Sequence, residues 1–341
     1  MPRSDFVKDL IADASSLGAE AYERAMASAV RYVVAVQEQA GLDVVTDGEW
    51  RRKSYIGVIA ELAHGFELGR NLADGRPWTI VVDKLAPKNP GFIAEEIAFL
   101  RRATDRKIKA TLPAPALLGE RMWDPRKSAG AYPTRDAFVE ACVPILREAL
   151  LRIRDAGADV VQIDDPHLCL FVDPEVRRQY DDPEASAGFT VEMNNAVVAG
   201  VDGVQLAVHL CRRAGARARG EAQHDGAYGP ILDHINRLKV HGLAMEFAHA
   251  GSGAFAVLRE LREDFGIGLG CVSVTPGEVD PPEAIVERVA RAVECIGPER
   301  ITLNPDCGFA PGSAAAVGVD EAYRKLCNMT AAARILRERF G

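Results

Sequence analysis

The triplet His209-Leu210-Cys211 near the middle of the chain has the spacing of a metal-binding pair. Residues two apart on an extended strand face the same way, so this imidazole and this thiol would project together. Two further donors stand at the ends of later β-like runs, Glu246 in AMEF and Cys307 in NPDCG. One nitrogen, two sulfurs and one carboxylate oxygen are a set that zinc favours, whereas magnesium and calcium prefer oxygen alone. The competing reading is packing, because an HxC pair arises readily by chance and a buried cysteine behaves as a small hydrophobe. Of the seven cysteines, Cys142, Cys295 and Cys327 fall in helical patterns and read as packing residues. Cys271 reads as a strand residue of the core, and Cys169 fits either description.

Other polar residues also end β-like runs: Asp47 and Glu49, Asp164 and Asp165, Ser273 and Thr275, Asn304 and Asp306. Each could instead cap a following helix or satisfy a loop amide. Their meaning depends on the elements that carry them. Short β-rich runs at 42–49, 107–113, 159–166, 204–211, 242–247, 266–274 and 300–308 alternate with amphipathic stretches, the rhythm of parallel βα units. The helical stretches include TRDAFVEACVPILREALLRIRDAG, GAFAVLRELREDFG, PPEAIVERVARAVECIG and VDEAYRKLCNMTAAARILRERFG. Pro144 should kink the first of them, and Pro281, Pro282 and Asp320 stand where helices start.

Seven or eight such units without a Gly- or Ser-rich linker predict one α/β domain over residues 1–341, a (β/α)8 TIM barrel. The run WTIVVDKL falls out of rhythm and is expected to form a β-hairpin insertion near 65–90. Barrels of this kind carry their chemistry at the C-terminal ends of the strands, where the polar residues named above converge.

Composition narrows the partners. With 41 basic and 49 acidic residues the chain carries a formal charge of −8, which argues against nucleic acid. No apolar run reaches the length needed to cross a bilayer, and MPRSDFVKDL lacks the apolar stretch of a signal peptide, so no membrane partner and a cytoplasmic location are expected. Thiols, not disulfides, follow from that setting.

Taken in order, DGEWRR at 47–52, QIDDP at 162–166, HLC at 209–211, AMEF at 244–247 and NPDCG at 304–308 resemble the cobalamin-independent methionine synthase family. The likeness is strongest to short, single-barrel members that match the catalytic C-terminal half of the long enzyme. It implies a zinc ion on His209, Cys211, Glu246 and Cys307. It also places Glu49 and Asp164 on the amino group of homocysteine, with Asp47 and Arg51 in the same substrate-binding segment. The implied reaction is transfer of a methyl group from methyltetrahydrofolate to the thiol, giving methionine. Zinc would keep the thiol deprotonated and nucleophilic. Glu246, the hard oxygen donor of the four, is the ligand expected to give way to the substrate sulfur.

Three departures accompany the likeness. Where the long enzyme has a histidine that helps protonate the folate leaving group, GLGCVSVTPGEV puts Thr275, a poor general acid. A corrinoid or methyl-ether donor, or epoxide opening as in the epoxyalkane:coenzyme M transferases, is the alternative. The loop RRAGARARG brings Arg212, Arg213, Arg217 and Arg219 to the barrel mouth, either as a solvated loop or as a subsite for a carboxylate or sulfonate. Finally, Met1-Pro2-Arg3-Ser4 resembles the tail of the family's first-strand GSxPR motif, so the first strand is expected to be missing and the authentic start to lie upstream. Unpaired strand edges would then invite pairing with another chain, and a homo-oligomer is one way to cover them.

Overall fold

The β-branched runs become a seven-stranded parallel sheet in the computed structural model, which describes residues 1–14, 16–71, 77–212, 226–248, 254–309 and 317–341. Its strands are β1 (Val44–Val45), β4 (Lys107–Pro113), β5 (Val160–Asp164), β6 (Gln205–Leu210), β7 (Gly242–Glu246), β8 (Gly266–Val272) and β9 (Ile301–Pro305). The order is β1-β4-β5-β6-β7-β8-β9, and every neighbour is parallel. Between β1 and β4 the chain makes β2 (Ala63–Arg70) and β3 (Pro77–Pro87), an antiparallel pair with a register shift between His64 and Phe66.

Alternation along the strands sorts the core from the interior of the sheet. On β4, Ile108, Ala110 and Leu112 are buried in the hydrophobic core, while Lys109 and Thr111 line the interior cavity. The amphipathic stretches cover the outer face. Thr134 opens the helix Arg135–Asp155 by accepting the Ala137 N–H at 3.1 Å, a cap worth about 1 kcal/mol. That helix is continuous through Pro144. Pro281 precedes the helix Pro282–Ile296, and the last helix spans Val319–Phe340.

Two elements differ from the sequence reading. The run at 42–49 keeps only Val44–Val45 as strand, because β1 ends the sheet order, pairs among the described strands with β4 alone, and is followed by a turn at Gly48 and Glu49, both with positive φ. Within GAFAVLRELREDFG the described residues form a short 3-10 helix, Phe255–Glu260, in place of the expected amphipathic α-helix. No helix among the described residues is long and apolar enough to cross a membrane.

Candidate active site

In a flat sheet β6 and β9, three strands apart, would lie roughly 14 Å from one another. Instead, donor atoms of His209, Cys211 and Cys307 all fall within 4.8 Å of one another, so the sheet curls and brings its C-terminal ends together. The open cavity at its centre has a volume of about 2120 Å³ and is lined by Asp47, Glu49, Asp164, His209, Cys211 and Cys307, among others.

His209 lies near the end of β6 with its Nδ1 3.3 Å from the Ala244 carbonyl, a contact that places a ring proton on Nδ1 and leaves Nε2 as the ligand atom once its own proton is displaced. Nε2 is buried and meets no hydrogen-bond partner among the described residues. Cys211 Sγ lies 3.8 Å from Cys307 Sγ and 3.1 Å from Glu246 Oε1. Glu246, wholly buried at the end of β7, also accepts the Arg212 backbone N–H at 3.1 Å. Burial opposes a charged His209, but Cys211, Asp164 and Glu246 outweigh it and lift its pKa to about 9. The neighbouring Cys307 thiol and burial push the Cys211 thiol well up. A buried imidazole and two crowded thiols beside a carboxylate fit a thiophilic divalent cation, which binds such groups by displacing the protons they otherwise hold.

The opposite wall carries carboxylates. Glu49 has φ 57, a left-handed backbone unusual outside glycine, and its N–H is held by Asp47 Oδ1 at 2.9 Å. Its Oε1 accepts from Arg52 Nη1 at 3.1 Å and from the Thr111 hydroxyl. The first residues brace this turn: Trp50 Nε1 donates to the Met1 carbonyl at 3.2 Å, and Arg3 donates to the Glu49 carbonyl at 3.1 Å. Asp164 lies at the end of β5, held by Gln162 Nε2 at 2.8 Å, and Gln162 Oε1 accepts from Lys109 Nζ at 3.1 Å. Burial pushes Asp164 up to about 6, against the pull of His209 and with a smaller upward push from Glu49.

The structure separates residues that the sequence grouped. Asp164 lines the cavity, whereas Asp165 is spent on structure, accepting from Leu168 N and Asn194 Nδ2 at 3.0 and 2.6 Å. Arg51 is not at the cavity. It pairs with Glu23 at 2.7 Å and lies over Phe99, because in this turn residue 52, three positions after Glu49, shares its face. Thr275 is also outside the cavity lining: the buried Lys325 ammonium donates to the Ser273 and Thr275 carbonyls at 2.9 and 2.6 Å and holds this loop against the last helix. Arg212 is no solvated loop residue. It is buried over the Tyr228 ring at 4.8 Å and donates to the carbonyls of Gly226 and Glu246 at 2.6 and 3.2 Å. Arg213, Arg217 and Arg219 lie outside the described residues. The seven cysteines are all free thiols.

Arg52, Tyr55, Lys109, Thr111 and Gln162 are cavity residues that motif reading missed. The i, i+3 spacing from Glu49 was the available signal for Arg52, and the alternation along KIKATLP was the signal for Lys109 and Thr111.

A parallel α/β sheet curled so that its functional groups meet at the C-terminal strand ends defines a TIM-barrel enzyme. The chain belongs to the cobalamin-independent methionine synthase family: the model of the cobalamin-independent synthase catalytic domain matches residues 9–335. It is therefore a methyltransferase of that family. Among curated proteins it is 28% identical over 295 residues to the uncharacterized protein YxjH of Bacillus subtilis, covering 82% of this chain and 76% of that one. It is 27% identical over 320 residues to the methionine synthase of Methanothermobacter thermautotrophicus, covering 89% and 88%. The B12-independent methionine synthase from Shewanella sp. W3-18-1, solved with selenomethionine, superposes with a TM-score of 0.77 at 19% identity over 95% of this chain and 91% of that one, which establishes the shared fold.

Proposed function

We propose that the chain methylates the thiol of homocysteine to give methionine, with zinc held by His209, Cys211, Cys307 and Glu246 and methyltetrahydrofolate as donor. The observation that carries this reading is the pairing, in one cavity, of a thiol–imidazole cluster with two carboxylates, Glu49 and Asp164. An amino acid bearing a thiol has complementary ends, a sulfur for the cluster and an ammonium for the carboxylates. Zinc held there would supply a Lewis acid that keeps the substrate thiol deprotonated at neutral pH.

The residues do the rest. Glu49 and Asp164 bind the ammonium in a partly desolvated cavity, where opposite charges attract strongly. That attachment fixes the sulfur at the cluster and its lone pair toward the donor. Glu246 would be the oxygen donor of the zinc site, with the Arg212 backbone N–H and guanidinium beside it, the latter at 3.8 Å. Arg212, a candidate for a sulfonate subsite in the sequence, is engaged with the backbone carbonyls of Gly226 and Glu246.

Metal analysis of the purified protein, followed by thiol methylation assays, tests this. Homocysteine is compared with coenzyme M, and methyltetrahydrofolate with methylcobalamin and an epoxide. About one zinc per chain with turnover of homocysteine and methyltetrahydrofolate is expected. Zinc without turnover of any thiol would defeat the reading, and turnover only with methylcobalamin or an epoxide would replace the donor.

A further inference from the structure

Behind Glu49 lies a buried group that the reaction does not touch. Arg52, 3% exposed, sends Nη1 to Glu49 Oε1, to the Thr111 carbonyl and to the Thr111 hydroxyl at 3.1, 3.1 and 2.9 Å. Its remaining edge is taken by Glu96, on the helix Phe92–Arg101, through Nε at 3.1 Å and Nη2 at 2.9 Å to Oε2. Glu96 is itself 2% exposed and does not line the cavity.

An arginine beside a substrate-binding carboxylate is a poor arrangement by itself. A guanidinium does not deprotonate, and at 3.1 Å it would cancel the charge that attracts an ammonium. Glu49 is 31% exposed at its side chain, toward the cavity, so its remaining charge is what the substrate meets. Glu96 changes the sum. One guanidinium shared by two carboxylates leaves one negative charge, and the unexposed carboxylate is the one held by both Nε and Nη2. Both close bonds from Arg52 fall on Glu96 Oε2, and Nε reaches Oε1 only at 3.4 Å. Burial pushes the Glu96 carboxyl up, and the Arg52 charge and hydrogen bonds pull it back; beside a guanidinium that does not deprotonate, the carboxylate form is the one that balances the pair.

We propose that Glu96 is a positioning residue for amine recognition: by engaging Arg52 it lets that arginine orient Glu49 without neutralising it, and so makes the site selective for amino-acid thiols. This rests on the assignment of Glu49 to the substrate ammonium. A plain pin between the turn and the helix would have the same contacts but no effect on the choice between thiols.

The test measures binding by calorimetry to the full-length, zinc-loaded protein, using L-homocysteine and its counterpart without the amine, 4-mercaptobutyrate. The wild type is expected to prefer homocysteine, and equal binding of the two would overturn the ammonium site itself. In Glu96→Gln, affinity for homocysteine should fall about tenfold while 4-mercaptobutyrate changes by less than about twofold, since one charge is lost and the contacts remain. The double variant R52Q/E96Q regains the net charge and should recover part of the preference. With the wild type selective, an unchanged ratio in Glu96→Gln, or equal weakening of both thiols, overturns the inference alone. Removing one partner of a buried pair can unfold a protein, whereas removing both is milder. Should Glu96→Gln not fold, R52Q/E96Q decides: preference kept within about threefold supports the inference, and its loss overturns it.

Discussion

On the β6–β9 wall of the cavity, His209 Nε2 faces two thiols 3.8 Å apart with no hydrogen-bond partner among the described residues. On the β1–β5 wall, Glu49 and Asp164 are each held by named protein groups, Glu49 by Arg52 and Thr111, Asp164 by Gln162 and through it Lys109. The first wall is chemically unfinished: His209 and Cys211 hold their protons more tightly than usual, and a bound cation would displace them. The second is already complete and offers a fixed charge. The contrast is what a two-ended substrate needs: a soft centre that exchanges protons for a cation, and a rigid anionic end that sets orientation.

The largest expected effect breaks the first wall. Cys211→Ser and Cys307→Ser should each lower bound zinc below about a tenth per chain and cut turnover at least about 10³-fold, while Cys142→Ser, buried in the core, keeps its metal. Metal analysis checks this, and equal loss in all three would remove the ligand assignment. The second wall is probed by Glu49→Gln and Asp164→Asn, which should raise the KM for homocysteine about 10²-fold with zinc content unchanged, as expected for loss of a charged hydrogen bond.

A pH profile sharpens the comparison further. With its pKa lifted by burial to about 6, Asp164 is a carboxylate above that pH and a neutral acid below it. As pH falls below about 6, kcat/KM for homocysteine should therefore decline, about tenfold per pH unit. Profiles for homocysteine and 4-mercaptobutyrate are the measurement. Only the amine-bearing thiol should show this limb, and Asp164→Asn should abolish it. The smallest effects belong to residues the fold places outside the cavity. Arg51→Ala and Thr275→Ala should each change kcat/KM by less than about twofold, since the Arg51–Glu23 pair is a surface contact and the Thr275 loop is held through its carbonyl. A larger drop for Thr275→Ala would return it to the reaction.

The two walls were also unequally legible. Strand β4 occupies the same residues, 107–113, that periodicity marks, and HLC, AMEF and NPDCG stand at the ends of β6, β7 and β9, because spacing two and the strand-end position are local properties. The carboxylate wall was legible in Asp47, Glu49 and Asp164 but not in the groups that hold them. Arg51 looked as eligible as Arg52, and nothing in FIAEEIAFLR singles out Glu96 over Glu95, although Glu96 is buried on Arg52 and Glu95 is not. The phase of a three-residue turn and the face of a packed helix are fixed by what they meet, so a neighbouring residue of the same type reads alike in one dimension.

By itself, then, the sequence determined the parallel α/β rhythm, the family and the donor types, since hydrophobic period and residue chemistry are carried residue by residue. Only the tertiary structure decided that β6 and β9 curl close enough for their thiols to meet, that Arg212 is buried rather than solvated, and that Arg52 stands between Glu49 and Glu96. Those outcomes depend on sheet curvature and on desolvation, which arise from contacts between segments far apart in the chain.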